Sequence, residues 1–147
     1  MTAYSYLPFV ADTATLALNT STHANGVTVV ASRAAGITMT LPKALGHGAE
    51  FDIFVGTTIT SNNLIIQVAD AVDVMSGVAI SAADGGDTVV AFETASDSDT
   101  ITLNGSTKGG IKGDRIKLKS VQAGVWAVQI IASGTGTEAT PFSAAVS

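Results

Sequence analysis

The stretch whose reading decides the fold is Thr100–Ile131, TITLNGSTKGGIKGDRIKLKSVQAGVWAVQII. Glycine turns break it into three strand-like segments. In Thr100–Asn104, Ile101 and Leu103 oppose Thr100, Thr102 and Asn104; in Arg115–Lys119, Ile116 and Leu118 oppose Arg115, Lys117 and Lys119. That period of two marks a half-buried strand, because successive side chains leave a strand on opposite faces. Val125–Ile131 is apolar on both sides, which predicts that both of its faces are covered. Gln122-Ala123-Gly124 suits a three-residue hairpin with a left-handed glycine. The stretch therefore reads as a β-meander with Ile101, Leu103, Ile116, Leu118, Trp126 and Val128 in the core.

The same period extends outward. Thr13–Asn19, Val27–Ser32, Ile37–Leu41, Ala49–Val55, Leu64–Ala69, Val72–Met75, Val78–Ser81 and Thr88–Glu93 read as short strands. They add Phe51, Ile53, Val90 and Phe92 to the expected core. Phe54 breaks its strand's alternation and marks a bulge or a partner-facing residue. Asn25-Gly26, Asn62-Asn63 and Asp84-Gly85-Gly86-Asp87 are turn signals, since these residues tolerate positive φ. Pro42 ends a strand because proline cannot donate to the ladder. No segment sustains a helical period, and no internal repeat points to a propeller or β-helix. The expectation is one all-β domain over residues 1–147: an antiparallel β-sandwich, jelly-roll-like, of about nine to eleven short strands with no substantial helix. Residues 1–11, with Tyr4, Tyr6, Leu7, Pro8 and Phe9, read as an N-terminal arm. Residues 134–147, small and polar apart from Pro141-Phe142, read as a C-terminal one.

Composition narrows the class. Of 147 residues, 46% are hydrophobic and 13% charged, the reverse of a disordered chain. The net charge of −5 argues against nonspecific binding to nucleic acid or an anionic membrane. The charge is segregated: seven acids and no base lie between Asp70 and Asp99, five bases and one acid between Lys108 and Lys119. Such asymmetry reads first as two solvated faces, and otherwise as an acidic edge of one copy matched to a basic edge of another. No cysteine is present, so there is neither a disulfide nor a thiolate metal site. The first residues lack the basic and apolar regions of a secretory signal, and no run reaches the ~18 apolar residues of a membrane span, so a soluble chain made in a cytoplasm is expected.

No chemistry-bearing constellation emerges. His23 and His47 sit in turns among small residues and read as solvated. No serine lies in a G-x-S-x-G elbow. Asp84–Asp87 and Asp97–Asp99 lack the spacing of a calcium loop. Gly46-His47-Gly48 lacks the G-K-[ST] of a phosphate loop. The basic run Lys108–Lys119 has no interleaved aromatics for stacking bases. Neither catalytic, cofactor nor metal residues are assigned.

Two patterns carry a family resemblance: LP-x-A-x-G-x-G-x-x-F from Leu41 to Phe51, and GD-R-I-x-L…G-x-W-x-V from Gly113 to Val128. With the C-terminal GTGTEATPFS, the chain over residues 36–143 resembles small virion proteins of tailed bacteriophages, among them head decoration or cement proteins. The resemblance implies a non-enzymatic homotrimer on the outer surface of a capsid. Its partners would be the major capsid protein and itself, with no nucleic acid, membrane or cofactor. Similar modules in phage fibres and spikes imply an alternative, a trimeric module binding a cell-surface glycan. Expected contact residues are Tyr4, Tyr6, Leu7 and Phe9 in the first arm, Lys112, Arg115, Lys117 and Lys119 on the basic strand, and Pro141 and Phe142 in the second arm.

Overall fold

The computed structural model describes residues 7–147. Its strands are β1 (Phe9–Ala11), β2 (Thr15–Ala17), β3 (Thr28–Ala31), β4 (Ile37–Thr40), β5 (Glu50–Val55), β6 (Leu64–Gln67), β7 (Val74–Ala83), β8 (Thr88–Glu93), β9 (Thr100–Leu103), β10 (Arg115–Gln122), β11 (Val125–Gly134) and β12 (Phe142–Ser143). They form a seven-stranded sheet, β1-β3-β5-β10-β11-β7-β8, and a five-stranded sheet, β12-β9-β6-β4-β2. Together they make the expected all-β sandwich, with one strand more than the upper expected number and no helix among the described residues.

The core is where the two inner faces meet. Alternation delivers Phe51, Ile53 and Val55 from β5, Ile116 and Leu118 from β10, and Trp126, Val128 and Ile130 from β11. The five-stranded sheet answers with Ile37 and Met39, Leu64 and Ile66, Ile101 and Leu103. Each side chain fully buried here contributes about 1.5–3 kcal/mol of transfer free energy.

Strand pairing is mixed, where the sequence predicts antiparallel neighbours. β1–β3, β3–β5, β2–β4, β4–β6 and β11–β7 are parallel. The reason lies in the path. From β1 to β6 the chain alternates between the two sheets, so each strand's neighbour within a sheet is the strand two further on and runs the same way. The first half is thus a short two-layer coil, although the sequence carries no repeat. A coil of so few turns needs only period-two strands of matching length, with no recurring sequence motif.

The expected meander is divided. β10 and β11 form a hairpin, closed through Gly124 at φ 81°. β9 instead pairs with β6 and β12 in the other sheet. The connection crosses between layers through Gly105, where φ is 81° and a Cβ would lie 1.8 Å from the Ile59 carbonyl oxygen.

Three further expectations are corrected. Val74-Met75 of the first expected strand and all of Val78–Ser81 belong to one strand, β7, while Val72 and Asp73 lie before it. Gly77 continues the strand, because its bare Cα lets the β11 backbone pass where a Cβ would lie 1.8 Å from the Val128 carbonyl oxygen. Val125–Ile131 is covered on one face only, and Ile131 is 58% exposed on the other. Val90 and Phe92 are half-buried rather than core, because β8 is the sheet's outermost strand.

Candidate functional site

The outer face of the seven-stranded sheet gathers most of the exposed large apolar side chains among the described residues, with Leu7, Leu45 and Val72 lying off it. Register places them in rows. One row crosses every strand: Val10, Val30, Phe54, Arg115, Ile131, Ile80, Ala91. Apart from Arg115 it is apolar. Val10 and Ile131 are more than half exposed, and Phe54 is half-buried. Phe54 is no bulge; it sits in register opposite Arg115. The adjacent row runs Thr28, Asp52, Lys117, Gln129, Val78, Glu93. Val89 continues the apolar character on β8.

The basic strand residues lie on this face as the alternation predicts: Arg115, Lys117 and Lys119 point outward from β10, and Lys112 is exposed just before it. Arg115 is tied to Asp52 by an ion pair of 2.6 Å, and Thr28 Oγ1 donates to the same carboxylate oxygen. Shallow grooves run between Glu50, Lys117 and Lys119, and between Arg115, Gln129 and Ile131.

The arm residues fall elsewhere. Tyr4 and Tyr6 lie outside the described residues. Leu7 is exposed, while Phe9 is half-buried at the start of β1 and meets the His23 ring edge-on at 4.5 Å. Pro141 and Phe142 are buried, and Phe142 pairs with Ile101, so the second arm is stitched into the five-stranded sheet and offers no free aromatic. Asp99 ties down the residues after β12: it accepts from the Ala145 and Val146 amides and from the Thr100 hydroxyl.

Loops gather at one end of the sandwich around a cleft of about 360 Å³, lined by Thr20, Asn25, Lys43, His47, Ser120 and the edge of Trp126. The LP-x-A-x-G-x-G-x-x-F pattern builds its wall. Gly46 N–H donates to Ser120 Oγ, Gly48 N–H to the Ser120 carbonyl, and the Gly124 amide to the Ala44 carbonyl, pinning the loop to the β10–β11 hairpin. Asp73, fully buried, accepts from the Ala44 amide at 2.7 Å. Trp126 is closed over by this loop, leaving no ring face open to stack a sugar.

Two ionisable groups depart from expectation. His23 is buried rather than solvated; burial lowers its pKa, and its Nδ1 accepts the Asn19 amide, which assigns the remaining ring proton to Nε2. Asp114 is 2% exposed, and burial raises its pKa against the opposing pull of amides from Gly110, Ile111 and Ser133. Both are anchors of loops. Alternation alone could not show this, because an Asp before a strand reads as solvated. No three His, Asp or Glu side chains converge as a metal set among the described residues.

The apolar outer-face residues of β7 and β8 are absent from the sequence-predicted contact set. Their signal is the apolar character of both faces of VMSGVAISAA, the pattern that in Val125–Ile131 predicts cover within the chain. Compared with known proteins, the chain matches no family, no curated protein and no solved structure.

Proposed function

We propose that the protein is a non-enzymatic structural virion protein, bound to the outside of a tailed-phage capsid, where copies bridge neighbouring capsomers and stabilise the shell. The observation that carries this reading is the row running from Val10 to Ala91 across the outer face, apolar except where Arg115 of the basic β10 ladder crosses it. Contiguous apolar surface on a soluble domain marks a site of protein contact. The resemblance at Leu41–Phe51 and Gly113–Val128 points the same way.

Binding is the whole mechanism in this reading. Each copy covers a junction with modest contacts, and several contacts on one assembly act together because the first binding raises the effective concentration for the next. Rigidity serves that role: a closed sandwich holds its surfaces in place and loses little entropy on docking.

The test is co-sedimentation of the purified protein with capsids that lack a decoration layer. The expected result is saturable binding and capsids that survive to a higher temperature. Absence of capsid binding overturns the reading. Binding to cell-surface glycan instead gives the fibre or spike alternative, and hydrolysis of a polysaccharide would make the protein an enzyme.

A further inference from the structure

We infer that the β10–β8 half of the outer face of the seven-stranded sheet is covered by the same half of a second copy, the two related by a twofold axis running along the strands between β11 and β7, so that β1, β3 and β5 stay open to another partner. This rests on the reading of that face as a contact surface, and names its occupant. The argument is the order of side chains within one row. From β10 to β8 the row reads Lys117, Gln129, Val78, Glu93: a base at one end, an acid at the other and an uncharged centre. Turning a second copy over about an axis along the strands reverses that order. Lys117 then meets Glu93 of the second copy, and by symmetry Glu93 meets its Lys117.

The neighbouring row gives the apolar centre. It reads Arg115, Ile131, Ile80, Ala91, so reversal sets Ile131 against Ile80 on both sides of the axis. Ile131 is 58% and Ile80 43% exposed in the single chain. An apolar middle flanked by opposite charges is the anatomy of an isologous interface. The charges are also free to pair: among the described residues, neither Lys117 nor Glu93 takes part in an ion pair within the chain. Lys112 stands at the end of β10 that the reversal brings over Asp87, adding a second opposite-sign match.

The face is large enough for weak association. β7 and β11 are ten residues each. β10 and β8 have eight and six, so at ~3.3 Å per residue and ~4.8 Å between strands the four strands offer about 540 Å² per copy, below the ~800 Å² per partner of a standard stable complex. Pairing should therefore depend on concentration. It would be twofold, where the resemblance implies a threefold assembly.

Sedimentation velocity on the full chain over a concentration series tests the inference. Wild-type protein is expected to pass from monomer to dimer. Lys117→Glu and Glu93→Lys each weaken pairing by about tenfold or more, since each sets like charges together, and the double variant recovers most of the loss. All these positions are exposed, and circular dichroism checks that each variant folds. A monomer at every concentration, a trimer, or a double variant no better than the singles overturns the inference. Capsid co-sedimentation of the wild-type protein separates the two readings. Wild-type protein that binds capsids without ever pairing overturns the pairing alone; a wild-type pair that binds no capsid overturns only the virion reading.

Discussion

Trp126 is fully buried and lies 5.7 Å from the Phe51 ring, so it joins the β5 and β11 inner faces. Its Nε1–H meets no acceptor. These two facts pull in opposite directions. Trp126→Ala opens a cavity and is expected to cost ~3–5 kcal/mol in urea unfolding. Trp126→Phe leaves a smaller gap and also removes an unsatisfied donor whose burial costs ~1–3 kcal/mol, so its loss should be well under half as large. Equal losses would mean the indole N–H has a partner. Asp114 gives the pH prediction. Its folded-state pKa is raised above the ordinary 3.8 by burial, so the folded protein keeps this proton to higher pH than the unfolded chain does. The stability from the protonated group is full below about pH 3.8 and is lost as pH rises through the folded-state value. Asp114→Asn should flatten that part of the stability–pH curve, and an unchanged curve would contradict the assignment. Asp114→Ala, which strands buried amides, should cost about 3 kcal/mol.

At the scale of elements, the two sheets depend on close backbone approaches that side chains would block. Gly77 is the sharpest case: Gly77→Ala forces a methyl to within 1.8 Å of the Val128 carbonyl and should separate β7 from β11, costing ~3 kcal/mol or more in thermal unfolding. A substitution tolerated within about 0.5 kcal/mol would contradict the parallel β11–β7 register. The C-terminal segment is held more lightly. Asp99→Ala removes the acceptor for the Ala145 and Val146 amides, so both should exchange with deuterium faster, with the rest of the fold protected as before. These elements also show what the chain makes legible. Period-two alternation located almost every strand, and Gly124 announced the β10–β11 turn. Parallel winding stayed hidden, because alternation says which face a residue takes and nothing about its neighbour's direction. β12 stayed hidden too: Phe142 in a run of small polar residues reads as an arm until Ile101 is found beside it.

For the whole molecule, the outer face joins sequence and function. Its basic ladder was legible, since Arg115, Lys117 and Lys119 alternate with core residues. Its apolar half was not. Ile131, Ile80 and Val78 lie in strands apolar on both faces, and that pattern fits a strand covered twice within one chain as well as a strand awaiting a second chain. The central claim is that a second copy supplies the missing cover. The chain has no cysteine, so single cysteines report position cleanly. Face-to-face sheets stand ~10 Å apart, too far for a direct disulfide but within reach of a short bis-maleimide. Mixing Ile80→Cys with Ile131→Cys protein should give a linked pair of unlike copies at high yield, far above a Ser61→Cys control on an exposed loop. Cross-linking no greater than the Ser61→Cys control would show that the outer faces do not meet.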